Sequence, residues 1–512
     1  MSRFKRFANS LLSGYALILA NIVYTLASVP LALHYLSKEE FGLWALVMQV
    51  CNFNQIMIDL GMSGAVARVL IDHKDDRASA TYGSVIQTGF LILLVQGCLI
   101  AVIGGIISYW LPNLLSVPPE HWRIFRLLVI WQCIMLAVGF ALRISAFILQ
   151  AHQRFDVCNY SNLGGFFAGL AALWLGFAAG LGLFSLLISA AASTLFSSLV
   201  CLWRAYRLHL FPSKGLWGRP NRTTFRELFF YGTDLFLVAI GLQLITASQT
   251  LVITRTLGLE ATAIWSVATK LFTLSQQLVY RLLDYSLATF SEMMVRGEKS
   301  RLQTRFRDLV VLSGSASAAI AVIVALCNSA FLKIWTHARI SWAIENDFLM
   351  ACSLLVYAST RCHVGLACIT KDLGAMKYIY FAEGLCFVTF GLTFGPHLGL
   401  TGIILGGILT NLCLSGAYGI HRTSAYFYLK PSEILLRWLK PPALVFFCLL
   451  LAAISIWYPT RALPALPRLL IAGFLIGMVS ALLFWRLGLP DNLRQEALTR
   501  WTRLRARFAG GA

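Results

Sequence analysis

Eight charged side chains interrupt the long apolar runs of this 512-residue chain. Four are cations, Arg143, Lys270, Arg281 and Arg361, and four are acids, Asp59, Asp234, Asp284 and Glu383. A charge at mid-bilayer costs about 2.5–3.5 kcal/mol on insertion scales and normally faces a bundle interior or an aqueous cavity. Guanidinium holds phosphate through two parallel N–H donors, and ammonium holds it as a point charge. The cations are therefore candidate ligands for a phosphate-bearing substrate inside the membrane. The acids can carry a coupling proton or Na⁺, or pair with those cations. Asp59 and Asp284 fall near the predicted cytoplasmic ends of their spans, where a cap or a gate salt bridge is the expectation. Asp234 and Glu383 are the better placed for ion coupling. Plainer readings stand beside these. Arg281 and Asp284, three residues apart on one helix, can neutralise each other, and Arg143 can snorkel toward its cytoplasmic end. His363 points to a different face from Arg361 and is expected to make a helix-packing hydrogen bond.

The elements that position these charges are membrane helices. Hydrophobic residues make up 58% of the chain and charged ones 12%, about half of what a soluble domain spends on charge. Runs such as Leu17 to Leu36 and Leu91 to Leu111 match the roughly 20 residues a helix needs to cross about 30 Å of hydrocarbon. They lack the period-2 alternation of a barrel strand, and only helices or closed barrels satisfy their backbone in lipid. Breaks at polar, Pro and Gly clusters predict an all-α polytopic membrane protein of about 14 transmembrane helices. The first apolar stretch is too long for a signal-peptide core and is read as a retained span. No Cys/His spacing suggests a metal site or disulfide framework, so no metal and no cofactor are expected.

Orientation follows from Lys and Arg. With a cytoplasmic N-terminus, 30 of the 42 Lys and Arg fall in cytoplasmic segments, 8 near external ones and 4 deep in spans. The opposite topology would reverse that bias, so both termini are predicted to be cytoplasmic. The net charge of +20 then faces anionic membrane lipids. Spread over separate segments, it does not resemble a nucleic-acid footprint.

Internal repetition divides the chain further. Leu36, Glu39 and Trp44, between spans one and two, match Leu257, Glu260 and Trp265, between spans seven and eight, at an offset of 221. Leu181-Gly182-Leu183 before span six matches Leu398-Gly399-Leu400 before span twelve. The register predicts two pseudo-symmetric six-helix lobes, 1–203 and 227–422, joined by a basic cytoplasmic linker, 204–226. Two extra helices follow at 423–488, and a basic amphipathic tail at 489–512, with Trp501, Leu504 and Phe508 at helical spacing. Arg143 in span four and Arg361 in span ten then occupy equivalent helices. Six-span repeats sharing one orientation place their symmetry axis along the membrane normal, with a cavity expected between the lobes.

Two lobes of six spans plus two helices resemble the MOP superfamily of exporters, which includes MATE drug exporters and polysaccharide flippases. The segment Tyr35-Leu36-Ser37-Lys38-Glu39-Glu40-Phe41-Gly42-Leu43-Trp44 is similar to the stretch after the first span of Wzx-type polysaccharide flippases. Asp59-Leu60-Gly61 followed by Arg68 is similar to that family's motif closing the second span. The resemblance implies a bacterial inner-membrane protein that flips an undecaprenyl-diphosphate-linked oligosaccharide for O-antigen or exopolysaccharide biosynthesis. It also implies a working association with polysaccharide polymerase or export machinery. On that reading Arg143, Lys270, Arg361 and Arg281 are the candidate pyrophosphate ligands. Alternating access between the lobes would carry the headgroup while the lipid tail stays in the bilayer.

Two other readings compete. A cation-coupled MATE-type multidrug exporter would use the same scaffold, and an excess of intramembrane acids over cations would favour it. The deep cations and acids are equal in number. A ligase or polymerase enzyme would be expected to carry a large external loop, and the chain has no segment of that size. It also lacks a GxxxxGK[ST] nucleotide loop, so any energy input is expected from an ion gradient, the membrane potential or the substrate gradient. With no soluble segment long enough for a catalytic domain and a duplicated six-span unit, a transporter rather than an enzyme is expected.

Overall fold

The computed structural model describes residues 3–73, 80–213, 215–246, 248–370, 374–490, 492–495 and 498–499, and they contain no strand. The chain forms two compact units, Met1–Ser266 and Val267–Ala512. The first holds α1 (Arg3–Tyr35), α2 (Lys38–Asp59), α3 (Met62–His73), α4 (Ala80–Leu114), α5 (Trp122–Ala151), α6 (Phe155–Ala178), α7 (Phe184–Arg207), α8 (Arg222–Thr246) and most of α9 (Ser248–Ala268). The second holds α10 (Lys270–Val295), α11 (Lys299–Trp335), α12 (Ile344–Ile369), α13 (Met376–Asn411), α14 (Ala417–Phe427), the one-turn α15 (Pro431–Glu433), α16 (Lys440–Thr460) and α17 (Ala465–Leu483). Three π-helical turns interrupt it, at Leu412–Gly416, Ile434–Leu439 and Phe484–Gly488.

Among the described residues, twelve helical stretches are long and apolar enough to cross a membrane. One of them, Met376–Phe427, runs for 52 residues, or about 78 Å at 1.5 Å per residue, more than twice the hydrocarbon thickness. It breaks at Gly399, where φ is 60° and ψ −150°, a backbone state open to glycine. Gly258, with φ 87° and ψ −178°, breaks α9 in the same way. It separates α8 and the first part of α9 from the remainder and α10, where the sequence predicts spans seven and eight. Lys270, Arg281 and Asp284 interrupt the apolar run of α10. Divided at these two glycines, the protein is an all-α membrane chain of about fourteen segments. The amphipathic register predicted for 489–512 falls largely on Ala497 and residues 500–512, outside the described residues.

Local chemistry explains the ends that matter for the site. Ser37 caps α2 with a reciprocal capping box: Glu40 N donates to Ser37 Oγ at 3.1 Å, and Ser37 N donates to Glu40 Oε2 at 2.8 Å. Such a box satisfies two orphan donors of a first turn. Leu60 (φ 51°) and Gly61 (φ 71°) end α2 in left-handed conformations, so Asp59-Leu60-Gly61 is a helix-stop motif. Packing uses small residues where lipid supplies no hydrophobic drive. In the first unit, Gly165, Gly169 and Gly176 on α6 meet Ser193, Ser189 and Ser185 on α7, with ideal Cβ positions only 2.8–3.1 Å from those serines. In the second unit, α11 buries 72% of its apolar window and serves as the central post, whereas α17 buries 22% and offers most of its surface to lipid.

Candidate functional site

In the first unit, α5 brings Arg143 beside the end of α2. Arg143 Nη1 donates to Ser63 Oγ at 3.3 Å, and Ser63 Oγ in turn donates to Asp59 Oδ1. Ser63 N also donates to that oxygen at 3.3 Å, so Asp59 caps the turn into α3 while receiving the relay. Gln96 on α4 fixes the carbonyl end of α2 through bonds to Ile58 O (3.1 Å) and Asp59 O (2.8 Å). The Arg143 guanidinium lies 4.1 Å from the centroid of Phe140, within cation–π range. Next to this relay is a cavity of ≈ 380 Å³ lined by Ile58, Leu60, Val95, Gln96 and Phe225. Its lining is almost wholly apolar, which suits a hydrocarbon chain better than a charged headgroup.

In the second unit, Arg361 on α12 faces Asp284 on α10, with Nη2 3.6 Å from Oδ1. Their side chains are 39% and 36% exposed, so the pair is open to a ligand. The guanidinium stands 5.2 Å from the Tyr280 ring, and Arg361 Nε is buried with no partner among the described residues. Asp284 thus finds its partner across helices, and Arg281, three residues away, makes no contact with it. Arg281 is exposed and Lys270 half-buried. Neither makes an ion pair or hydrogen bond among the described residues. His363 makes its helix-packing contact with Thr423 Oγ1 at 2.9 Å.

Glu383 on α13 is fully buried and meets no cation among the described residues. Asn411 Nδ2 donates to its Oε1 at 2.9 Å, and both the backbone N–H and the hydroxyl of Ser415 donate to Oε2. Asn411 Oδ1 accepts in turn from Thr360 Oγ1 at 2.8 Å, beside Arg361. Ser415 reaches Glu383 from the Leu412–Gly416 π turn, a distortion often found at functional sites. Asp234 lies on α8, but its side chain is outside the described residues, as is that of Arg68.

Three features escape sequence reading. Ser63 and Asn411 are ordinary polar residues in sequence and become relays only through long-range packing. Asp347 lies at the start of a predicted span and so reads as a boundary residue, yet it is fully buried. It accepts from Asn328 Nδ2 (2.7 Å) and Trp342 Nε1 (2.8 Å). The matched segments around Glu39 and Glu260 also pack on each other. Lys38 Nζ pairs with Glu260 Oε1 at 2.8 Å, and a Cβ on Gly42 would overlap Leu259 O at 2.0 Å. Nearby, His121 lies 3.7 Å from Glu39 and 3.8 Å from Glu120. This is the one cluster with metal-ligating spacing among the described residues. With both acids exposed, it reads as a surface ion-pair group.

The architecture is shared with solved proteins at low sequence identity. The Lipid II flippase MurJ in an inward closed conformation is 14% identical with a TM-score of 0.67, covering 93% of this chain and 99% of that one. An inward-facing multidrug resistance MATE family transporter of the MOP superfamily is 12% identical with a TM-score of 0.65, covering 79% and 94%. A MOP superfamily transporter from Pyrococcus furiosus is 14% identical with a TM-score of 0.60, covering 82% and 96%. No curated protein sequence matches. These likenesses define the class, a multi-pass membrane protein with the MOP-superfamily fold. Within that class the chain belongs to the polysaccharide biosynthesis protein family, whose model matches residues 34–337. The match includes the capping-box and helix-stop motifs and agrees with the resemblance they carry. The chain is thus a multi-pass membrane protein of the polysaccharide biosynthesis family with a fold like that of these transporters.

Proposed function

We propose that the protein flips an undecaprenyl-diphosphate-linked oligosaccharide across the bacterial inner membrane, with both termini cytoplasmic, by alternating access between its repeats. One observation carries this reading over export of cationic drugs: the described intramembrane charges do not cancel. Asp59 and Asp284 are engaged by Arg143, through Ser63, and by Arg361. Glu383 is enclosed by neutral donors. Lys270 and Arg281 have no acid partner among the described residues, which leaves their N–H donors available to a diphosphate. Arg361, held at the long distance of 3.6 Å, can turn part of its donor fork to the same substrate. Lys270→Ala combined with Arg361→Ala is expected to reduce surface-polysaccharide export at least tenfold while membrane insertion persists. Normal export from an inserted double variant would overturn the assignment.

Glu383 is the coupling group in this proposal, with Asp234 as its alternative. Release of a proton or Na⁺ from the Glu383–Asn411–Ser415 cluster would be tied to movement of the π turn. Glu383→Gln is expected to leave substrate binding intact and to abolish the dependence of transport on an imposed ion gradient. Gradient-driven transport at the wild-type rate would remove Glu383 from the mechanism.

A further inference from the structure

The second unit contains a cleft of ≈ 650 Å³, within the size range of small-molecule sites, that the transport reading does not use. It lies between the start of α11, the α15–α16 turn and the segment after α17. Five cations line it, Arg307, Arg437, Lys440, Arg486 and Arg494, against two acids, Asp308 and Glu433. Both acids are already paired. Arg307 Nη2 is 3.1 Å from Asp308 Oδ1, and Arg437 Nη1 is 3.8 Å from Glu433 Oε1. Lys440 and Arg486 are exposed and have no acid partner among the described residues. Arg494 Nη1 donates to Arg486 O at 3.3 Å, which holds the segment after α17 against the cleft. Among the described residues, Lys440 and Arg486 therefore give the lining positive charge that no acid neutralises.

Two of the three π turns flank this cleft. Ile434–Leu439 places Arg437 in it, and Phe484–Gly488 places Arg486 in it. A π turn is poorer in backbone geometry than an α turn and persists mostly where a site requires it. The remaining lining mixes the polar Gln303, Thr304 and Asn492 with apolar residues. Leu436, Leu444 and Leu487 are 67%, 43% and 42% exposed, and Phe447 and Leu451 continue the α16 stripe away from the cleft. Asp308 Oδ2 is buried with no donor, an acceptor that a ligand hydroxyl would satisfy.

We infer that this cleft binds the headgroup of an anionic glycerophospholipid that bears hydroxyls beside its phosphate. Lys440 and Arg486 grip the phosphate, Asp308 accepts from a headgroup hydroxyl, and the α16 stripe carries an acyl chain. The combination of charge and an adjoining apolar stripe selects a lipid over a soluble phosphate ester. The site would fasten the extra helices α16 and α17 to α11 in a membrane of suitable composition.

Native mass spectrometry of the full chain, released from micelles containing phosphatidylglycerol or phosphatidylcholine, tests the site. Phosphatidylglycerol is expected to be retained at least tenfold better. Lys440→Gln with Arg486→Gln should bring its retention down to the phosphatidylcholine level, and Lys440→Arg with Arg486→Lys should restore it. Both positions are exposed, and an unchanged far-ultraviolet spectrum would show that the variants fold. Unchanged retention in the Gln variant, or equal retention of the two lipids, overturns the inference. So does an equal loss from Arg204→Gln with Arg207→Gln, which would make net charge the cause. Displacement of the lipid by millimolar glycerol 3-phosphate would replace the lipid by a soluble ligand and overturn it as well.

Discussion

The two units build the same acid–base pair by different means. The register that aligns Arg143 with Arg361 also brings Asp59 close to alignment with Asp284, and in each unit the arginine serves that aspartate. In the second unit the contact is direct, 3.6 Å from nitrogen to oxygen, with Tyr280 on one side. In the first unit a serine hydroxyl stands between the charges, and Phe140 takes the place of the tyrosine. A direct pair leaves each charge dependent on the other. A relayed pair leaves the carboxylate with hydroxyl and backbone donors even if the arginine is lost. The difference therefore predicts asymmetric behaviour from two positions that sequence symmetry would treat as equal.

The largest expected effect follows from that asymmetry. Arg361→Ala leaves Asp284 without its ion pair, at a cost of about 1 kcal/mol at most, because both side chains are more than a third exposed. Arg143→Ala leaves Asp59 bonded to Ser63 and should cost less than half as much. Thermal unfolding of both variants in one detergent measures the difference. Polysaccharide export should rank them in the same order, Arg361→Ala the lower. Equal losses would show that the serine relay does not protect Asp59 and that the two pairs are equivalent.

The fold was more legible in the sequence than the site. Twenty-residue apolar runs and the Lys/Arg bias are properties of short stretches, and they yield membrane helices without knowledge of contacts. The glycine breaks at Gly258 and Gly399 mark the turns where helix assignment alone runs two segments together. The charged residues were visible for the same reason, since a charge in an apolar run stands out. Their partners were not. Arg281 lies three residues from Asp284, and local spacing offers it as the partner, yet packing of α10 on α12 presents Arg361 instead. Glu383 gave no sign of its enclosure, because Asn411 at the end of α13 and Ser415 in the π turn that follows lie about thirty residues away. Asp347 was hidden by its place at a predicted span end.

A contact between the repeats' matched segments offers an effect of intermediate size. Lys38 and Glu260 form a 2.8 Å pair with side chains 38% and 54% exposed. Exposed pairs contribute about 0.2–1 kcal/mol, so stability should change little. The expected consequence is in transport, because the pair joins the loop after span one to the loop after span seven. Lys38→Glu should lower export several-fold by setting two carboxylates against each other, and adding Glu260→Lys should recover most of it. If the double variant is no better than the single one, the pair is incidental and Gly42 packing on Leu259 alone holds the segments.

The smallest effect tests the comparison most directly. Ser63→Ala removes the hydroxyl between Arg143 and Asp59 but leaves the Ser63 backbone N–H, which already donates to Asp59 at 3.3 Å. One ordinary hydrogen bond is worth about 0.5–1.5 kcal/mol, and part of that loss is recoverable if Arg143 swings toward the carboxylate. Such a movement would turn the relayed pair into a copy of the direct pair in the second unit. Ser63→Ala should therefore lower unfolding stability only slightly. It should also make a following Arg143→Ala substitution more costly than the same change in the wild type, and Ser63→Thr should behave as the wild type does. A double-mutant cycle over Ser63 and Arg143 reads this coupling. Strict additivity would mean that Arg143 never reaches Asp59, and that the first unit has a capped helix end where the second has an ion pair.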